Sequence, residues 1–164
     1  MTALRCTWLL TLAALCLLAA MPAQAADMSP ASPPPAAAAD PLKPARAQIA
    51  ARHWPAAIEE LKRVNATGSA DWQNLMGYAH RKLSPPDLAA AEAHYNEALR
   101  LNPQHRGALE YSGELYLMKG DLPTAEARLA VLDKACTFSC EEYRDLKKAV
   151  ERYKANGGPS APGT

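Results

Sequence analysis

The sequence predicts an all-α chain in which three helix pairs stack and a seventh helix closes the stack, and three observations predict it. Small and apolar residues recur in register every 34 positions: Trp54, Leu88 and Leu122, then Ala57, Ala91 and Ala125, then Leu61, Tyr95 and Leu129, then Val64, Ala98 and Leu132. Four columns at one fixed period in this range mark an array of stacked helices. No stretch alternates polar and apolar residues as a half-buried strand would, and the chain beyond Pro41 is rich in Ala and Leu. Prolines preceded by Asp, Ser or Asn, together with Gly120, punctuate it where helices of ordinary length would start and stop.

Residues 1–25 hold one basic residue, Arg5, then an apolar run from Trp8 to Met21, then the small-residue pattern Ala23-Gln24-Ala25. A secretory signal peptide with cleavage after Ala25 is expected. About 14 apolar residues fall short of the roughly 20 that a membrane anchor requires, so no stable membrane insertion is expected once the segment is removed. Neither Cys6, beside Arg5, nor Cys16, preceded by bulky Leu15, suits lipidation. Residues 26–40 are mostly Ala, Pro and Ser, with Met28 the one large apolar residue and Pro33-Pro34-Pro35 near their centre, the composition of an extended linker. The folded domain is expected over 41–155, and the Gly- and Pro-rich 156–164 reads as a flexible tail.

Within the domain seven helices are expected, over 41–52, 55–66, 71–82, 86–101, 104–118, 122–135 and 140–154. Asp40-Pro41, Ser84-Pro85-Pro86-Asp87, Asn102-Pro103 and Asp121-Leu122-Pro123 each supply a capping side chain and a proline suited to a first turn. Ala57, Ala91 and Ala125 are small where the second helix of each pair approaches its neighbour, and Leu61, Tyr95 and Leu129 lie one turn later on the same face. Gly77 and Gly113 sit in mid-helix, a placement that costs about 1 kcal/mol relative to Ala and is repaid by close packing. In the last helix Tyr143, Leu146, Val150 and Tyr153 form one apolar face and the charged residues the other, with Ser139 and Glu142 expected as a capping box.

On these residues the domain resembles the tetratricopeptide repeat family. The third unit matches best, with Leu109, Gly113, Tyr116, Ala125 and Leu129 on the family's spacing, although Ser112 stands where the family prefers Leu. The second has Met76-Gly77, Ala91, Tyr95, Ala98 and Pro103, with His80 in place of Tyr, and the first keeps Trp54, Ala57, Leu61 and Val64 but has Ala45 for the glycine. The resemblance covers about 95 residues and implies an α-solenoid of three units, about 41–69, 70–103 and 104–137, with 140–154 as cap. It also implies a groove lined by the first helix of each pair, which places Arg46, Ile49, Asn74, Tyr78, Arg81, Glu110, Glu114 and Leu117 as candidate peptide-binding residues. Family members that clamp a chaperone's terminal carboxylate use Lys, Asn and Arg at positions that fall here on Leu42, Arg46, Leu75, Gly107 and Tyr111, so only Arg46 fits and that activity is not implied.

Cys136 and Cys140 are the two thiols outside the expected signal peptide. A disulfide pinning the closing helix is the leading expectation, provided the turn brings their Cα atoms within about 7 Å. A thiol-redox pair and a soft-metal site such as Cu(I) are the alternatives. The spacing is not Cys-x-x-Cys, and no His or Met lies within the segment. His53, His80, His94 and His105 share no i, i+4 spacing, and no phosphate-cradling glycine loop or paired-carboxylate motif occurs. No catalytic residue, metal or cofactor is therefore expected. Removal of residues 1–25 takes away Arg5 and no acidic residue, which lowers the formal charge from +1 to zero and gives no electrostatic footprint for nucleic acid. The resulting expectation is a non-enzymatic scaffold, periplasmic or secreted in a Gram-negative bacterium, that binds an envelope protein or peptide. The competing expectation is a metal-handling or thiol-redox protein built on Cys136 and Cys140.

Overall fold

The computed structural model describes residues 39–158. Seven helices follow one another there: α1 (Lys43–Ala50), α2 (Trp54–Val64), α3 (Ala70–Lys82), α4 (Leu88–Leu101), α5 (Arg106–Met118), α6 (Leu122–Ala135) and α7 (Glu141–Asn156). Among the described residues there is no strand, and each helix lies where the punctuation places it, with ends moved by at most two residues. The expected signal peptide, nearly all of the 26–40 linker and most of the 156–164 tail lie outside the described residues.

The caps explain the moved ends. Ser69 caps α3 by accepting the Trp72 N–H at 3.3 Å, and Asp121 caps α6 by accepting both the Thr124 N–H at 3.1 Å and the Thr124 hydroxyl at 2.6 Å. At α4 the cap is Asp87, whose carboxylate accepts the Ala90 N–H at 3.0 Å, not Ser84, so the helix begins two residues later than expected. Asn102 closes α4 and accepts the Gln104 N–H at 3.1 Å, leaving His105 to cap α5 through Nδ1, which accepts the Ala108 N–H at 3.1 Å. Asp40 accepts the Leu42 N–H at 2.9 Å, one turn before α1, whose own cap position is Leu42. The Ser139/Glu142 capping box does not form: Ser139 has a left-handed φ of 31°, and the cap position passes to Cys140, which makes no side-chain cap bond. The Cys136 and Cys140 sulfurs lie at bonding distance, 2.02 Å, with Cα atoms 5.6 Å apart.

Each helix packs on the next in chain order, most extensively α3 on α4 and α5 on α6, and α5 also meets both α3 and α7. The small-residue column carries these contacts, since Ala57, Ala91 and Ala125 are wholly buried. Leu61 and Tyr95 are wholly buried one turn later, and Ala98 and Leu132 one turn beyond that. Trp54, Leu88 and Leu122, by contrast, stay half-buried. The core has two parts, one gathering Leu42, Ala45, Ile58, Leu61, Trp72, Leu75 and Met76 from α1 to α3, the other running from Tyr95 and Leu99 through Leu109 and Leu115 to Leu146 and Val150. A methyl group on Gly77 would lie 2.7 Å from the Tyr95 ring, and one on Gly113 would lie 2.6 Å from Leu146, so both glycines are fixed by helix approach. No helix among the described residues is long and apolar enough to cross a membrane.

Candidate functional site

α3 meets α5, α7 packs on the same α5, and side chains one turn apart on α3 and α5 face each other. At one end Asp71, in the first turn of α3, is reached by Arg46 of α1 at 3.7 Å and by His105 Nε2 at 2.9 Å. Because His105 Nδ1 accepts the cap bond, Nε2 carries the proton and donates it to Asp71. One turn along, Asn74 is buried beside Gly107, and its Oδ1 has no hydrogen-bond partner among the described residues.

Beyond Asn74 the face becomes aromatic. Tyr78 of α3 stands 4.6 Å from Tyr111 of α5, centroid to centroid, and meets Trp54 of α2 edge-on at 5.8 Å. All three rings are half-buried. The Arg81 guanidinium lies 5.5 Å from the Tyr78 centroid and 5.6 Å from that of Tyr111, and Lys82 Nζ lies 5.7 Å from Tyr78. Arg81 is only 6% exposed, and its Nη2 is 2.7 Å from Glu114 Oε2. That contact is an ion pair off the hydrogen-bond axis, since Arg81 Nε and Nη2 and the Tyr95 hydroxyl all lack an aligned partner. Burial acts to lower the Arg81 pKa, but the Tyr95 and Glu114 oxygens outweigh it and hold it above its ordinary value. Burial raises Tyr78, and raises Tyr111 to about 12, with Glu110 adding to the second.

Glu110 is the second buried charge-bearing group. Its carboxyl has no ion-pair or hydrogen-bond partner among the described residues, and burial, then Glu114, Asp145 and Glu142, push it up to about 8 against the opposing pull of Arg81. Glu110 is therefore a neutral acid at pH 7, able to donate a hydrogen bond.

Of the sequence-derived candidates, Tyr78, Arg81, Glu110 and Glu114 come together here, with Asn74 one turn away on α3. Arg46 is solvent-exposed at the Asp71 end, Ile49 is half-buried against the α1–α3 core, and Leu117 is in the interior among the α4–α7 core residues. Two members of the cluster lie outside that set. Trp54 reads in the sequence as a stacking column and is in fact an edge of the aromatic face. Tyr111 is 33 residues after Tyr78, one short of the repeat period, so no column of the repeat marks the pair.

Elsewhere, a cleft between α6 and α7 is lined by Leu129, Tyr143 and Val150 and rimmed by charges. Phe138, at the tip of the loop closed by Cys136 and Cys140, is 92% exposed. No group of three or more His, Cys, Asp or Glu residues among the described residues is arranged to hold a metal ion. No family model matches the chain, and neither does any curated protein.

Proposed function

We propose that this chain is an exported, non-enzymatic interaction module, a tetratricopeptide-like solenoid whose α1, α3 and α5 face docks a segment of a partner protein. The observation that carries the proposal is the half-buried row of Trp54, Tyr78 and Tyr111 with Arg81 beneath it, because interaction hot spots are enriched in these residue types. The unpartnered Asn74 Oδ1 supports it, since a buried group without a partner costs about 1–3 kcal/mol unless something satisfies it. The 34-residue columns and the packing of consecutive helices support the solenoid reading. The Cys136–Cys140 pair is compatible with export. The reading rests on docking, with no bond made or broken in the partner.

Crosslinking in cells, followed by identification of the captured protein, tests it. Tyr78→Ala combined with Arg81→Ala, with helix content checked by circular dichroism, is expected to abolish the capture. Capture that persists in a folded double variant contradicts the assignment of this face.

A further inference from the structure

We propose that the Tyr111 end of the face seats one basic side chain of the docked segment, a lysine or arginine of the partner protein held by the carboxyls of Glu110 and Glu114. The inference rests on the docking reading above and adds the charge of the guest.

Geometry leads there first. Glu110 is only 8% exposed, and its carboxyl has no partner among the described residues, a placement that is costly unless something completes it. Unlike Asn74 Oδ1, its oxygens are not sealed from solvent, so a guest can reach them. Glu114, one turn on, gives Oε2 to Arg81 and leaves Oε1 without a partner among the described residues. Asn74 lies against Gly107, one turn before Glu110, and adds a buried Oδ1 that can only accept. The complement of several unfilled acceptors is a group with several donors, which an ammonium or guanidinium supplies at once. The half-buried Tyr78 and Tyr111 rings beside them offer apolar surface to the methylene stem of such a side chain.

Charge points the same way. Glu114 on the same helix, and Asp145 and Glu142 on α7, oppose ionisation of Glu110, against the pull of Arg81 from α3. Arg81 is occupied by Glu114, and the cations nearest the α7 carboxylates are exposed and at the outer limit of pairing, Lys148 at 3.8 Å from Asp145 and Arg106 at 3.9 Å from Glu142. On the other helices packed on α5, Glu92 pairs with Lys119, Glu97 with Arg100 and Glu126 with Lys154. The surplus cations lie on the Tyr78 side, where Lys82 is 5.7 Å from the ring and Arg52 also acts on it. A cationic guest is therefore drawn to the Tyr111 end, and an anionic one is repelled there. A metal ion is a poorer complement, because no three His, Cys, Asp or Glu residues among those described are arranged to hold one. Burial and like charge keep the free Glu110 carboxyl protonated up to about pH 8. A cation beside it favours the ionised form, so guest binding releases a proton and tightens as pH rises toward about 8, by at most about tenfold per pH unit, then levels off. A lysine guest, with an ordinary value of about 10.4, stays charged throughout.

NMR of the Glu110 carboxyl carbon in the purified protein, its signal assigned by its loss in Glu110→Gln, tests the proposal. The probe is a short acetylated and amidated peptide with lysine at the centre of apolar residues, and the comparators carry glutamine or glutamate there. With the lysine peptide at saturation the carboxyl is expected to titrate at clearly lower pH than in the free protein, and the glutamine peptide to leave it in place. The lysine peptide is expected to bind about tenfold or more tighter than either comparator at about pH 8.5, and about tenfold tighter there than at about pH 6.5. Glu110→Gln, with helix content checked by circular dichroism, is expected to remove that pH dependence. Equal affinity for the lysine and glutamine peptides, or a bound lysine peptide that leaves the carboxyl titrating where it did, overturns the proposal. Butylamine that lowers the titration as far as the lysine peptide does would put a free amine in the partner's place and overturn the assignment to a protein segment. If the lysine peptide fails while crosslinked capture still depends on Tyr78, the charge of the guest falls and the docking reading stands. If both fail, the docking reading falls too.

Discussion

Among single residues, Glu110 and Gly77 show how the packing of α3, α5 and α7 sets local chemistry. Glu110 has an ordinary carboxyl value of 4.5 and is pushed up to about 8 in the fold, first by burial and then by Glu114, Asp145 and Glu142. Between those two values the native state holds the proton that the unfolded state releases, so this residue lowers stability as pH rises from about 4.5 to about 8 and adds no further slope above that. Glu110→Gln keeps the shape and removes the titration. Urea unfolding at about pH 5 and about pH 9 is expected to show a flatter pH dependence for the variant and a gain of roughly 1–2 kcal/mol at the higher pH, after discounting for solvent screening. Equal slopes in the two proteins would contradict the buried, unpartnered carboxyl. His94, lowered by burial and then by His80, has the opposite sign and is common to both proteins, so the comparison isolates Glu110.

Gly77→Ala gains about 1 kcal/mol of helix propensity but drives a methyl group to 2.7 Å from the Tyr95 ring and 3.1 Å from the Ala91 carbonyl oxygen. Overpacking against a rigid, wholly buried ring costs about 1–3 kcal/mol. The expected net is a loss of up to about 2 kcal/mol, read as a lower urea midpoint, and larger than for Gly113→Ala, where the obstacle is the end of the Leu146 side chain. A midpoint equal to or above that of the parent would contradict the close approach of α3 and α4. Both glycines were legible from sequence as packing positions, because a mid-helix glycine needs a steric reason. The shifted carboxyl was not legible, because it depends first on burial between packed helices and then on the charges of Glu114 and of Asp145 and Glu142 on α7, more than 30 residues away in the chain.

Among the elements, α7 is held on the bundle differently from the other helices. Like α1 and α2 it lacks a capping side-chain hydrogen bond, yet it covers α5 and α6 through Leu146, Ala149 and Val150. The Cys136–Cys140 pair ties its start to the end of α6. Replacing both cysteines by Ser is expected to cost at most about 2 kcal/mol by loop entropy. Hydrogen exchange is expected to quicken in α7 while α3 and α4 keep their protection, because the loss is local. Uniform quickening, or none, would contradict that role. Helix positions were readable in the sequence because Pro, Asp and Gly mark them. The cap residues were less so: Asp87 rather than Ser84 holds α4, and His105 caps α5 because Asn102 is taken up closing α4. Which of several capping side chains wins depends on neighbouring turns that composition alone leaves open.

For the whole molecule, the 34-residue columns encode the packing order, since Ala57, Ala91 and Ala125 carry the contact surface. The candidate face was only partly legible. Tyr78, Arg81 and Glu114 follow from the first-helix positions of a repeat, but the columns hide Trp54 among stacking residues, and a 33-residue offset conceals the partner of Tyr78 in Tyr111. What makes the face distinctive is a set of contacts between helices, ring against ring and guanidinium against ring, which no linear pattern states.

The most direct measurement of the central claim, that this face docks a partner segment, is site-specific photo-crosslinking in cells. A photoreactive side chain replaces Tyr78 on the face or Val131 on the exposed side of α6. The account expects a discrete adduct from position 78 that disappears when Tyr111→Ala is added, and none from position 131. An adduct from 131 alone, or one from 78 that is indifferent to Tyr111, would contradict it.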